Sequence, residues 1–174
     1  MKKYFLLLVS LIIFAVAITF LVMNNQKDET DIVSSPASFE SVSQPPPSFK
    51  EFDKLPGLVD AERIKAGLSP LIIDPRLGES ASNKCAHAQN LKYWAHDAPD
   101  GTKWPTFIDA KIKYKTAGEN LAYDFDSSDE VIVGWMGSIE HKKNILNSEY
   151  THVGYALCES KNYPHMIVQH FISL

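Results

Sequence analysis

An uncharged, strongly apolar run from Tyr4 to Met23 constrains this chain more than any other feature of its sequence. A helix of roughly twenty such residues spans the hydrocarbon core of a bilayer, whereas a helix of a soluble domain normally shows a polar face. Lys2 and Lys3 precede the run, and lysines in that position stay in the cytoplasm and direct the following chain outward. We therefore expect the membrane as a partner and an extracytoplasmic location for everything after Met23.

Two fates remain open for this segment, residues 1–23. Ala15-Val16-Ala17 resembles the small-x-small site of signal peptidase, and cleavage there would release a secreted protein. The apolar run continues past that site to Val22, and its full length fits a spanning helix better than the short apolar region of a signal peptide. We expect an uncleaved anchor, with a cleaved signal peptide as the alternative.

The next segment, residues 24–54, is rich in Ser, Pro, Gln and acidic residues, includes Pro45-Pro46-Pro47, and lacks a sustained apolar period. Such a composition predicts a disordered extracytoplasmic linker. The apolar fraction of 45% is sufficient for one core, which we assign to residues 55–174. The net charge of -4 gives no basic field for phosphate backbones, so no nucleic acid partner is expected.

The pattern of residues 55–174 predicts an α+β domain. Asp74 before Pro75, and Ser127 with Glu130, are signals for helix starts. Apolar residues at three-to-four spacing predict helices at 56–66, 75–95, 105–111 and 128–146. Alternating apolar residues predict strands at 116–123, 152–159 and 165–174, of which the last two form an antiparallel hairpin. Helices that precede and separate strands favour layers in which the helices cover the sheet.

The two cysteines, Cys85 and Cys158, are far apart and show no C-x-x-C spacing, which argues against a zinc ribbon or a thioredoxin site. In an oxidising compartment one disulfide could join the second helix to a late strand. Alternatively, both residues could be small buried apolar side chains, as free cysteines often are.

Three segments occur in an order that resembles a known family: Trp94 to Gly101 (WAHDAPDG), Gly118 to Ala122 (GENLA) and His141 to Ala156 (HKKNILNSEYTHVGYA). They are similar to motifs of the CAP superfamily, which includes cysteine-rich secretory proteins, antigen 5 and pathogenesis-related proteins, and here to its bacterial extracellular SCP-like branch. This resemblance implies a three-layer α-β-α sandwich with a central antiparallel sheet.

The resemblance also implies a cleft lined by His96, Glu119 and His141. Two imidazoles and one carboxylate suit zinc or another divalent metal, for which His96 and His141 are the candidate ligands. Glu119 could instead cap backbone amides. Where the family pattern has a second acidic residue this chain has Ser138, and Glu140 is a weaker candidate because it points to another side of the expected helix.

The other conspicuous side chains are expected to serve the fold. Trp94, Trp104 and Trp135 are assigned to core and rim packing. Asn144 and Tyr150 match recurrent family positions and are expected to fix the loop after the last helix. The remaining histidines are interpreted as structural or surface residues: His87, His152, His165 and His170.

The sequence contains no Gly-x-Ser-x-Gly and no His-Glu-x-x-His motif. Ser138 and His141 are three residues apart on the expected helix, but such proximity is common by chance. We therefore favour a binding module for lipid, cell-envelope or protein ligands over an enzyme. The alternatives are a metal-dependent zinc hydrolase, in which Glu119 is a ligand or general base, and a structural envelope protein without a working cleft.

Overall fold

The computed structural model describes residues 51–110 and 112–174. The expected membrane segment at 1–23 and most of the expected linker at 24–54 therefore lie outside the described residues. Within the two described ranges, no helix is both long enough and apolar enough to cross a membrane. A 3₁₀ turn at Phe52–Lys54 leads directly into the first helix.

The predicted helix starts are confirmed. The helices of the described ranges are α1 (Leu55–Lys65), α2 (Pro75–Leu91), α3 (Thr106–Asp109), α4 (Ser128–Gly137) and α5 (Ile139–Ile145). The Asp74 carboxylate accepts the first free amide of α2, from Arg76, at 2.9 Å. The Ser127 hydroxyl accepts the Glu130 amide of α4 at 3.3 Å.

The predicted single helix over 128–146 is wrong. It is interrupted at Ser138, whose backbone is extended (φ -96°, ψ 128°) between the end of α4 at Gly137 and the start of α5 at Ile139. Glycine weakens a helix interior, and serine favours the residue before a helix, so both residues favour a break here. Ser138 and His141 consequently do not share one face of a continuous helix.

The sheet has the order β1-β3-β4-β2. Its strands are β1 (Ile72–Ile73), β2 (Thr116–Ala122), β3 (His152–Cys158) and β4 (Met166–Ser173). β4 pairs antiparallel with both β3 and β2, and in the second pairing Glu119 lies opposite His170. β1 pairs parallel with β3, so the sheet is mixed, and the expectation of a purely antiparallel sheet is wrong at this edge. With two residues, β1 is too short to show the alternation by which a strand is predicted.

Helices cover both faces of the sheet. On one face α2 packs on β3 and β4, with a core that includes Ala81 and Val168. On the other face α1 and α4 form a second core, which includes Val59, Trp135 and Phe171. Because both faces are covered, every residue of β4 is buried.

Two features fasten α2 to β3. Cys85 and Cys158 form a disulfide with a Cα–Cα distance of 6.1 Å, which confirms the predicted bridge over the alternative of two free cysteines. Gly154 allows close approach, since a Cβ atom there would lie 2.3 Å from the backbone nitrogen of Gly78. The helix that carries Cys85 is thereby held against the middle of the sheet.

Candidate functional site

Glu119 is the centre of the candidate site. Its side chain is completely buried on β2. The Oε1 atom lies 2.7 Å from His96 Nδ1, and the Oε2 atom lies 3.0 Å from His170 Nε2. Desolvation raises the pKa of Glu119, but the hydrogen bonds from His170 and His96 outweigh it and hold that pKa below the ordinary value. The carboxylate is therefore ionised at neutral pH.

The ionised carboxylate decides how the two histidines are protonated. A carboxylate only accepts hydrogen bonds, so His96 must donate from Nδ1 and His170 from Nε2. The Nδ1 atom of His170 lies 2.8 Å from the Ser80 hydroxyl, with which it shares a hydrogen bond. These bonds form a buried relay, defined here as Ser80, His170, Glu119 and His96. It leaves Nε2 of His96 as the open ring nitrogen on a side chain that is 52% exposed.

A buried lysine positions the loop that carries His96. Lys84, on α2, is 1% exposed. Its Nζ atom donates to the Tyr93 hydroxyl at 3.1 Å, to the Ala95 carbonyl at 2.9 Å and also to the His96 carbonyl. Burial lowers the pKa of Lys84, while the negative charges of Glu119 and then Asp97 oppose that change. Lys84 thus supplies buried positive charge beside Glu119 and anchors the backbone of His96.

His141 lies on α5 and is half-buried, with its ring centre 6.5 Å from that of Trp135. Burial and, after it, the charge of the neighbouring His96 lower the pKa of His141. The Asn120 side chain donates to the His141 carbonyl at 3.2 Å. Consecutive residues of β2 therefore hold the two histidines, since Glu119 binds the ring of His96 and Asn120 binds the backbone of His141.

The family positions Asn144 and Tyr150 contact β2, in addition to any role in their own loop. Asn144 Nδ2 donates to the Glu119 carbonyl at 3.1 Å, so α5 is tied to the strand at the site itself. The Tyr150 hydroxyl donates to the Ala117 carbonyl at 2.9 Å. Gly118 leaves the space for that ring, because a Cβ atom there would lie 2.5 Å from the hydroxyl. These contacts explain why glycine precedes Glu119.

Three residues of the candidate site were not predicted from the sequence, namely Ser80, Lys84 and His170. Of the two interpretations offered for His170, structural or surface, the structure supports the structural one, since the ring is fully buried and binds Glu119. Alternation along β4 places it with Val168 on the face that α2 covers, and this was the available signal. Its partner could not be read from the sequence, because that requires the register of β2 on β4.

The weaker candidates lie outside the hydrogen-bonded cluster, and the charge of Glu140 opposes the lowering of the His141 pKa. Within residues 51–110 and 112–174, the side chains of Ser138 and Glu140 form no hydrogen bond with His96, Glu119 or His141. Ser138 lies at the break between α4 and α5, and Glu140 is exposed. The three histidines outside the site bind local partners: His87 the Tyr93 hydroxyl, His152 the Thr151 hydroxyl and His165 the Glu159 carboxylate.

The donors fit a metal ion only in part. Among the described residues, no group of three or more His, Cys, Asp or Glu side chains is arranged to hold one. Glu119 is 0% exposed and each of its oxygens already accepts a hydrogen bond from an imidazole, so Glu119 does not present an open ligand position. Nε2 of His96 and the ring of His141 are the remaining donors. An ion held by these two residues would have to take its other ligands from water or from a bound molecule.

A shallow groove begins at His141. Its walls are Trp94, Leu121, Ala122, Tyr123, Asp124, Phe125 and His141. Trp94 is partly buried at this rim, whereas Trp135 is 1% exposed in the core, as the sequence predicted for core and rim tryptophans. The third tryptophan, Trp104, is partly buried with its ring centre 6.1 Å from that of His170.

The motifs, fold and buried glutamate agree with a known family. The sequence model of CAP, the cysteine-rich secretory protein family, matches residues 57–171, which is more than half of the chain. The chain belongs to the cysteine-rich secretory protein family. The resemblance drawn from the three sequence motifs is thereby confirmed for the CAP domain.

Two relatives come from Bacillus subtilis (strain 168). The uncharacterized protein YkwD is 37% identical over 138 residues, a match that covers 76% of this chain and 54% of YkwD. The uncharacterized membrane protein YlbC is 31% identical over 98 residues, covering 56% of this chain and 28% of YlbC. This chain therefore spans about half the length of the first relative and less of the second.

Solved structures share the CAP fold. An extracellular protein containing an SCP domain from Bacillus anthracis has a TM-score of 0.64 and 24% identity, covering 70% of this chain and 40% of that one. An outer surface protein of Borrelia burgdorferi has a TM-score of 0.64 and 20% identity, and the match covers 70% of this chain and 90% of that one. A cysteine-rich secretory protein of Staphylococcus aureus has a TM-score of 0.59 and 27% identity, and the match covers 70% of this chain and 38% of that one.

Proposed function

We propose that this chain is an extracytoplasmic binding module that takes a cell-envelope ligand in the cleft around His96, Glu119 and His141. One observation carries the proposal: both oxygens of the buried Glu119 are bound by imidazoles. The carboxylate therefore holds His96 in place, and its 0% exposure keeps it away from solvent water. The groups open to a ligand are the outer edge of His96 and the groove that begins at His141.

The buried relay resembles a hydrolase triad only in its order of hydrogen bonds. Ser80, His170 and Glu119 are connected as a nucleophile, a base and an acid would be. However, Ser80 and His170 are both 0% exposed, so a substrate cannot reach the Ser80 hydroxyl. This burial favours a structural role for the relay and supports binding over hydrolysis.

The metal-dependent hydrolase expected as the alternative would use Glu119 as a ligand or a general base. Either role requires water or a metal ion to reach a carboxylate that is 0% exposed and already accepts hydrogen bonds from His96 and His170. The geometry therefore supports this function less well than it supports binding. Zinc held by His96 and His141 would be compatible with a binding cleft as well.

An extracytoplasmic position, with an anchor formed by the apolar run at residues 4–23, is part of the same proposal. It is supported by the descriptions of similar proteins, which include a membrane protein, an extracellular protein and an outer surface protein. An anchor followed by a polar linker would hold the cleft at the outer face of the membrane, where envelope components are concentrated.

The proposal is tested by cosedimentation of the purified full chain with detergent-washed bacterial envelopes, in a mild detergent that occupies the apolar segment. We expect saturable binding that is weakened about tenfold or more in a His96→Ala, His141→Ala double variant, since interface residues that matter contribute more than about 1 kcal/mol each. The matched control is His152→Ala, because His152 binds Thr151 and does not line the cleft.

Two results would contradict the proposal. The first is the absence of saturable binding, or equal binding by the double variant and the wild type. The second is turnover of envelope material by protein that contains stoichiometric zinc in elemental analysis, with both properties lost in the double variant. That second result would establish the hydrolase in place of the binding module.

A further inference from the structure

Three aromatic rings cluster beside the cleft and are not explained by the relay. Trp94 and Tyr123 have ring centres 5.1 Å apart, Tyr123 and Tyr163 are 5.5 Å apart, and Trp94 and Tyr163 are 6.1 Å apart. These residues, the aromatic triad, come from the loop after α2, the end of β2 and the turn between β3 and β4. Tyr123 is 41% exposed. Mutual ring contacts, two of them edge-to-face, hold the rings in place before any ligand arrives.

The polar atoms of the aromatic triad are unused. Within residues 51–110 and 112–174, neither the Trp94 indole nitrogen nor the hydroxyls of Tyr123 and Tyr163 form a hydrogen bond. The carboxylate of the adjacent Asp124, which is exposed, forms none within these ranges either. The cluster thus combines apolar ring surface with free donors and a free charged acceptor. A purely apolar ligand would leave these groups without partners.

A second pocket adjoins the groove at Asp124. Asp124 lines both the groove that begins at His141 and a second pocket on the side of the β3–β4 turn. The two have volumes of about 400 Å³ and about 520 Å³. The other polar residues of the second pocket are Asp126, Glu159, Ser160, Lys161 and His165. Two adjoining pockets of this size can each accommodate a small part of a linear polymer.

The residues that line the groove and the second pocket distinguish between ligand classes. A pyranose ring has a flat face of C–H groups that packs on an aromatic ring, and its hydroxyls both donate and accept hydrogen bonds. A polyproline peptide also packs in aromatic grooves, but it offers carbonyl acceptors without amide donors, so the Asp124 carboxylate would have no partner. Three carboxylates, of Asp124, Asp126 and Glu159, outnumber the single Lys161, which disfavours an anionic polymer.

We propose that the aromatic triad and Asp124 form a subsite for a neutral polysaccharide of pyranose units. The inference rests on the proposed binding function, because it names the ligand class for the groove that begins at His141. In this arrangement the rings of the aromatic triad pack on the sugar faces. The Trp94 indole and the tyrosine hydroxyls donate to sugar oxygens, and Asp124 accepts from sugar hydroxyls.

The test is retention of the full chain, in detergent, on insoluble chitin and cellulose, with heparin-agarose and immobilised polyproline as comparisons. We expect retention on at least one neutral glycan and none on heparin or polyproline. Tyr123→Ala should weaken retention roughly three- to tenfold, because it removes one stacking ring, and Asp124→Asn should weaken it by a similar factor. The matched control is Ile139→Ala, which shortens an apolar side chain that is 82% exposed and outside the groove.

If Tyr123→Ala disturbs folding, Tyr163→Phe removes a hydroxyl with little change in shape and should still weaken retention. The subsite is overturned if neither chitin nor cellulose retains the wild type, if polyproline or heparin retains it instead, or if the folded variants bind like the wild type. Failure of the subsite is distinguishable from failure of the proposed function. Envelope binding that depends on His96 and His141 but not on Tyr123 refutes the subsite alone, whereas absence of envelope binding refutes both.

Discussion

Replacement of Glu119 by glutamine perturbs the site most informatively, because it removes the charge and keeps the shape. The carboxylate accepts hydrogen bonds from His96 and His170, whereas a glutamine side chain can accept one and must direct its NH₂ group at the other ring. One histidine must then change tautomer or lose its bond. The buried Lys84 also loses the negative charge that favours its protonated form.

The expected magnitude follows from those contacts. A hydrogen bond to a charged group contributes about 1.5–3 kcal/mol, and one of the two bonds can be replaced by a neutral one of about 1 kcal/mol. We therefore expect Glu119→Gln to lower the free energy of unfolding by about 2–4 kcal/mol, a large part of the total stability of an ordinary domain. The matched control is Glu140→Gln at an exposed position, for which we expect a change within about 0.5 kcal/mol.

The assay is urea unfolding of the full chain in detergent, followed by tryptophan fluorescence at several pH values. The pKa of Glu119 is depressed in the folded protein, so its contribution is present above the unfolded glutamate pKa of about 4.3 and is lost as the pH falls through the folded value. The Glu119→Gln variant should not show this loss of stability as the pH falls, because glutamine does not titrate. Two results would refute an ionised Glu119 that holds both histidines. The first is a change in the free energy of unfolding below about 1 kcal/mol at pH 7, and the second is a loss of stability at acid pH that is the same in Glu119→Gln and the wild type.

Three further predictions concern the fold and its location. Replacing Cys85 and Cys158 by serine should cost roughly 4 kcal/mol in unfolding experiments, because the bridge closes a loop with a sequence separation of 73, and an unchanged stability would contradict this. Gly154→Ala should lower the unfolding free energy by about 1–3 kcal/mol or prevent folding, since its Cβ would overlap the backbone at Gly78, and wild-type stability would show that the contact is wrong. A reporter fused after Leu174 should be active only outside the cytoplasm, because lysines precede the apolar run. Cytoplasmic activity would remove the proposed location.

Local chemistry predicted most of the elements. The Asp74 and Ser127 caps start α2 and α4 where their side chains indicate, and the alternation of 152–158 and 166–173 forms the expected hairpin. The break at Ser138 was missed because the apolar stripe continues across it, and periodicity does not report a single extended residue. β1 was missed because a two-residue strand has no period.

The residues of the candidate site that lie in family motifs could be predicted from the sequence. Those that join it through tertiary packing could not. The trio of His96, Glu119 and His141 came from the resemblance, and the structure brings these residues to one region. The partnership of Glu119 with His170 depends on strand register, which the sequence does not display. A lysine on a helix is ordinarily assigned to the surface. The burial of Lys84 depends on the Ala95 and His96 carbonyls, which accept its hydrogen bonds, and these contacts cannot be predicted from the sequence.

We expect an envelope ligand to occupy the cleft beside Glu119. The most direct measurement is nuclear magnetic resonance mapping of the ¹⁵N-labelled full chain in micelles, titrated with soluble fragments released from detergent-washed envelopes. We predict saturable shifts of the ring signals of His96 and His141 and of the Trp94 indole, with the Ile139 amide unchanged as a surface reference. Saturable shifts that spare His96 and His141, or no shifts at millimolar fragment concentrations, would contradict binding of an envelope ligand in this cleft.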